Sequence, residues 1–294
     1  MSRRALREAT LVPGASLRGL VFDACAKNYI PNTYAVLRYF GMPNRNRVLV
    51  SESPHLDVSG LANALRIDPA EILLRRYPLC GRASRSFYGM SIAKTRIEYR
   101  VRRFSPAAIA DNHLHHPATH ELRDLPFSTI GWDILQTLCP CTDKGVRQGW
   151  VTVNGTSRCD ACGGSLGKIE PVPVPDHTKE PLALVAGLVD PNATVREAAC
   201  GLLPLALQNT DRALLYDMII NLARATSSAE ARHDHIQWTE AIAASCSRLI
   251  DWPTVIKADI RSHDCPSNLW AWIVHNHAIL DVCKVQPRID QSDS

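Results

Sequence analysis

No apolar run in the chain reaches membrane-spanning length, so no transmembrane helix is expected. The opening stretch, residues 1–8, lacks the apolar core of a secretory signal, and the expectation is a cytoplasmic protein with no membrane partner. Charge is not in excess either: 21% charged against 46% hydrophobic residues is an ordinary globular composition and excludes overall disorder. A fourth absence concerns catalysis. Four histidines cluster at His113, His115, His116 and His120, but no glutamate stands where a hydrolytic zinc helix needs one. Pro117 also separates His116 from His120 and permits a helix only to begin there. A zinc hydrolase is therefore the weakest of three readings, and no enzyme is expected.

What the chain does contain is cysteine in a pattern. Cys139 and Cys141 form one close pair, Cys159 and Cys162 a second, with seventeen residues between the pairs. Two close pairs across a loop of this size match one structural tetrahedral zinc ion. Gly163 and Gly164 let the backbone fold tightly around it. Trp150–Val153, Asn154-Gly155 and Arg158 read as two short strands and a turn, which completes a zinc ribbon. A redox pair at Cys159 and Cys162 would not need the second pair. The one-residue gap in Cys139-Pro140-Cys141 is tighter than usual, and Asp143 is the alternative fourth ligand. Cys25, Cys200, Cys246, Cys265 and Cys283 stand in helical contexts and read as small core residues.

Charge is distributed unevenly. Residues 1–103 hold 18 Lys/Arg and 7 Asp/Glu, a net +11, whereas residues 104–294 are net −7. A polyanion on the N-terminal third is the expectation. Residues 16–40 read as two helices, and residues 57–76 as a helix-turn-helix, whose second helix starts at Asp68-Pro69-Ala70-Glu71. In that reading Leu73 and Leu74 are buried, while Arg75 and Arg76 are exposed for the major groove. Two ordinary packed helices fit the same pattern. Arg82, Arg85, Lys94, Arg96, Arg100, Arg102 and Arg103 extend the basic set, interleaved with Phe87, Tyr88 and Tyr99 as if for backbone contacts and stacking.

Residues 171–180 carry three prolines and read as an extended linker. Stripes at helical spacing follow, the last at Pro253–Ser262 and Leu269–Val282. Trp270 and Trp272 cannot both face inward on one helix, which leaves one for a protein partner. The predicted architecture is mainly α. A basic helical domain with the helix-turn-helix-like segment occupies 1–104, a zinc-ribbon region with a short β-hairpin 105–170, and the linker 171–180. An acidic C-terminal helical bundle covers 181–294.

The segments Arg103–Ile109, His116–Phe127, Leu138–Cys141 and Arg158–Leu166, together with Ser16–Leu20 and Leu61–Leu74 before them, resemble the TniQ family. These are DNA-transposition targeting proteins related to TnsD. The resemblance implies a non-enzymatic adaptor that binds DNA and recruits a TnsC-like transposition ATPase or an RNA-guided complex; a homodimer is left open. The family's earlier zinc site is absent, because Ser105, Ala108, Ser128 and Gly131 occupy its ligand positions. That region is then held by packing around Phe104, Leu125, Phe127 and Trp132. The alternative function is a stand-alone transcription regulator.

Overall fold

The computed structural model describes residues 10–42 and 50–252, and it is mainly helical. Trp270, Trp272 and the two last predicted helices lie outside the described residues. Among the described residues, no helix is long and apolar enough to cross a membrane.

Four helices open the chain. α1 (Leu17–Lys27), α2 (Thr33–Tyr39), α3 (Val58–Leu65) and α4 (Pro69–Leu74) begin at Ser16, Asn32, Asp57 and Asp68. Each of these side chains accepts a backbone N–H of the first turn, which satisfies a donor that the helix itself cannot. The helices bury Leu17, Phe22, Leu37, Leu61 and Ile72 in one core, and that core is closed by Trp150 and Val153 from the distant ribbon segment. The rings of Phe22 and Trp150 meet edge to face with their centroids 5.8 Å apart.

α3 and α4 sit where the helix-turn-helix was expected, but α4 faces the other way round. Leu73 and Leu74 are 55% and 59% exposed, whereas Arg75 is only 4% exposed. Ile72 points into the core, and Arg75 lies three residues on, so helical geometry carries it to the same side. The outward face of this helix is apolar, not cationic.

A two-stranded hairpin follows, β1 (Ser84–Phe87) against β2 (Met90–Ala93), with Phe87 opposite Met90. Its loop, Tyr88-Gly89, has φ +47° and +82°, the two positive angles of a type I′ turn. Strands of four residues cannot enclose a core of their own. Tyr77, Phe87 and Ile92 therefore pack with Leu122, Leu125 and Phe127 against the C-terminal helices. Those helices are α6 (Asp176–Leu188), α7 (Ala193–Gly201), α8 (Leu205–Gln208), α9 (Arg212–Thr226) and α10 (His235–Ile250). α5 (Pro106–Ala110) is a short helix before the ribbon.

Two expected boundaries differ from this arrangement. The buried apolar side chains from Tyr77 to Tyr99 share their core with the C-terminal helices, not with α1–α4, whereas Arg102 lies on Phe22 of α1 and Phe104 packs with Cys139, Cys159 and Leu166. Residues 171–180 are not a free spacer. Val174 is 1% exposed, Ile134 N donates to Val172 O at 2.8 Å, and α6 already begins at Asp176. The prolines keep the segment extended so that it can lie beside residues 132–134. Trp238 and Trp252 are buried, and the Trp238 indole donates to Asp124 O at 2.9 Å.

Candidate metal centre

The first cysteine pair stands on a second hairpin, β3 (Leu138–Cys139) against β4 (Val146–Arg147), with Cys139 opposite Val146. The turn between them closes through Gly145, whose φ is +66°. Trp150–Val153, expected as a ribbon strand, instead lies against the start of α2: Thr33 N donates to Val151 O at 3.1 Å, and the Thr33 hydroxyl donates to Trp150 O. The second pair stands on a tight turn. Gly163 N donates to Cys159 O at 3.0 Å, Cys159 N to Gly164 O at 2.9 Å, and Gly163 adopts φ +68°.

These two turns bring four sulfurs together. The Sγ atoms of Cys139, Cys141, Cys159 and Cys162 all lie within 4.8 Å of one another. Cys139 and Cys162 are 4.0 Å apart, and Cys141 and Cys159 are 3.9 Å apart. A tetrahedral thiolate site with metal–sulfur bonds of about 2.3 Å has edges of about 3.8 Å. The four cysteines fit a metal ion, and Cys141 takes its place in the cluster without help from Asp143.

The surroundings favour thiolate. Ala161 N and Gly164 N point at the sulfurs of Cys159 and Cys162, each at 3.4 Å, and the Gln148 amide reaches Cys159 Sγ at 3.5 Å. Burial pushes the Cys159 thiol up, but the hydrogen bonds from Cys162, Ala161, Cys139 and Gln148 outweigh it and bring it to about 6. Burial and the neighbouring Cys159 and Cys141 thiols push Cys139 to about 12. Before metal enters, the charge favours Cys159, while Cys139 and Cys141 hold their protons more tightly.

Arg102 organises the loop that carries these groups. It is wholly buried and its guanidinium lies 4.7 Å from the Phe22 ring centroid. It donates to the carbonyls of Gly149 at 3.2 Å, Gly155 at 3.1 Å, Arg158 at 3.1 Å and Thr156. It also reaches the Gln148 side chain at 3.3 Å and pairs with Asp160. A planar five-donor fork is the side chain that can serve so many acceptors from one point. Sequence reasoning missed Gln148, Asp160 and this role of Arg102. The available signal was an acid placed between two candidate ligands.

The other expected phosphate contacts divide into two groups. Arg75 binds Glu71, Arg76 donates to Ser53 O at 2.6 Å, and Arg85 pairs with Glu52. Arg96 pairs with Asp124 at 3.3 Å and Asp217 at 2.6 Å. Arg103 donates to the carbonyls of His120 at 2.7 Å, Leu125 at 3.1 Å and Leu122. With Arg102, these six cations hold the protein together and are corrected from nucleic-acid contacts to internal ones. The physical reason is common to all: each lies beside acidic side chains or loop carbonyls left without a partner by the irregular backbone. Arg82 and Arg100 are exposed and Lys94 is half-exposed.

The histidines do not form a second centre. His116 and His120 are buried, His116 Nδ1 lies 3.0 Å from Ser16 Oγ, and the two rings meet edge to face at 5.6 Å. Among the described residues, the four cysteines are the group of three or more potential ligands close enough to share an ion.

Ser105, Ala108, Ser128 and Gly131 lie close together around Asp133. Ser105 Oγ caps α5 through Ala108 N at 3.0 Å and donates to Asp133, whose carboxylate also accepts Ala107 N at 3.1 Å. Ser128 N donates to Asp133 O at 2.9 Å, and Ser128 Oγ accepts Gly131 N at 3.4 Å. A Cβ on Gly131 would meet Ser105 Oγ at 2.5 Å and Ala108 N at 2.7 Å. The expected joint packing is divided: Leu125 and Phe127 are buried in the core of the C-terminal helices with Trp132 half-buried against it, whereas Phe104 packs with Cys139, Cys159 and Leu166, and Asp133 adds a hydrogen-bonded hub that the sequence did not reveal.

Comparison with protein-family models and with curated proteins finds no match to this chain.

Proposed function

We propose that the chain is a non-enzymatic adaptor of the TniQ kind, which binds nucleic acid and recruits a TnsC-like transposition ATPase or an RNA-guided complex. One zinc ion, held by Cys139, Cys141, Cys159 and Cys162, fixes the ribbon against the N-terminal helices. The observation that carries this reading is the convergence of the four sulfurs at tetrahedral separations. Four thiolates fill the coordination shell, so the ion has a structural role and no position for a substrate. The convergence of Ser105, Ala108 and Gly131 around Asp133 supports the same resemblance. The apolar outer face of α4 suits a protein partner better than a DNA groove, and the stand-alone regulator is not carried forward.

The test is an affinity pull-down of the full chain from its native host, with and without nuclease. Retention of a transposition ATPase or of an RNA-guided complex after nuclease treatment is the expected result. Recovery of neither, from material that contains one zinc per chain, would refute the adaptor role.

A further inference from the structure

The four cysteines differ in a way that holding an ion does not require. Cys141 and Cys162 are exposed, whereas Cys139 and Cys159 are buried. Each exposed cysteine has a buried one within reach on the opposite turn. Cys162 Sγ lies 4.0 Å from Cys139 Sγ, and Cys141 Sγ lies 3.9 Å from Cys159 Sγ. An accessible sulfur beside a sheltered second one suits a cysteine that is oxidised and then resolved.

Pairing within each turn is less favourable. Pro140 alone separates Cys139 from Cys141, and its fixed φ restricts how far the two side chains can turn towards each other. In the second turn the two sulfurs are held by separate donors. Cys159 Sγ faces Ala161 N and the Gln148 amide, and Cys162 Sγ faces Gly164 N.

The loop between the pairs gives any bond formed here a structural consequence. Its seventeen residues include Gln148, which Arg102 holds, and Trp150 and Val153, which close the N-terminal core. A bond from Cys141 to Cys159 closes that loop at its two ends. A bond from Cys139 to Cys162 ties β3 to the second turn. Bonds within each turn would instead leave the loop ends free to separate once the ion had gone.

We propose that the cluster is a reversible, peroxide-responsive clamp: oxidation joins Cys139 to Cys162 and Cys141 to Cys159, and releases the ion while the loop stays closed. In each half, the exposed thiolate attacks one peroxide oxygen, the O–O bond breaks and hydroxide leaves, giving a sulfenic acid. The buried thiolate then forms the S–S bond, breaks the S–O bond and expels a second hydroxide. Two electrons pass from each sulfur pair to one peroxide. The first bond leaves two thiolates, too few for a closed tetrahedral shell. This rests on the metal part of the adaptor reading and adds regulation to the same site.

The test uses the full-length, zinc-loaded chain carrying Cys80→Ser, which removes an exposed cysteine outside the cluster. Hydrogen peroxide is added while a chromophoric chelator reads released zinc, and free thiols are counted in denaturant. All the zinc should be released with the loss of four thiols. Peptide mapping without reductant should find the two crossed bonds, and dithiothreitol with zinc should restore both thiols and metal. The oxidised, metal-free chain should melt above the reduced chain stripped by a chelator, because only the former keeps its loop closed. Bonds within each turn, sulfinic acid in place of disulfide, or zinc retained under excess peroxide would each overturn the clamp. A melting temperature at or below that of the stripped chain overturns the closed loop. A chain purified without zinc refutes the metal reading instead. Mapping is then done on that metal-free chain, where crossed bonds uphold the pairing and their absence overturns it. The pull-down reports on partner recruitment independently.

Discussion

Replacing Arg102 by alanine is the most demanding perturbation of this structure. The side chain is 0% exposed and serves six acceptors between residues 148 and 160. The carbonyls of Gly149, Gly155 and Arg158 lie close enough to solvent to recover water, but Asp160 would keep a largely buried carboxylate without its cation. Breaking a buried pair in this one-sided way costs about 3–5 kcal/mol. At roughly 2–4 °C per kcal/mol, that is a fall of about 6–20 °C in melting temperature. The damage should reach the metal, because Arg102 holds the Gln148 side chain whose amide points at Cys159. Loss of such outer support lowers metal affinity about 10- to 100-fold. Arg102→Lys restores the charge but not the fork, and should fall between wild type and alanine. Thermal melts of the metal-loaded protein and competition with a chromophoric chelator read the two effects. An alanine variant within about 1 kcal/mol of wild type that keeps its metal would refute the organising role. Lost nucleic-acid binding in that same stable variant would return Arg102 to the phosphate-contact set.

Burial pushes His120 down to about 3, with Arg103 adding to the effect, so its stabilising contribution is complete above the unfolded value of about 6.5. Stability should therefore fall as pH drops below that value, by about 2 kcal/mol at pH 5 from this residue alone, and denaturant titrations of His120→Gln should show a flatter profile. Metal affinity should rise with pH at neutrality, with at least two protons released per ion, because burial raises both Cys139 and Cys141; calorimetry in buffers of different ionisation enthalpy measures the release. Gly131→Ala should cost about 1–3 kcal/mol, since its methyl group would press on Ser105 Oγ and Ala108 N, and a chemical melt at fixed pH tests this. Arg75→Ala with Arg76→Ala should leave the salt dependence of nucleic-acid binding unchanged while lowering stability; a shallower slope would restore the major-groove reading of α4.

Sequence alone determined whatever depends on near neighbours in the chain. The cap Asp68 starts the helix expected of it, because a capping oxygen reaches only its own first turn. The two cysteine pairs were legible for the same reason: each pair sits on one short turn, and the spacing between them is a local property. Tertiary structure alone decided what each cation does. Arg75, Arg85, Arg96, Arg102 and Arg103 find their partners across intervals of 4 to 121 residues, and no composition count records whether an acid or a carbonyl will lie beside an arginine once the chain is folded. It also decided that Trp150 and Val153 close the N-terminal core, and that Asp133 gathers Ser105 and Ala107. Local geometry sets where helices and turns begin; only packing sets which side chains are left facing water, and with them the surface that can meet a partner.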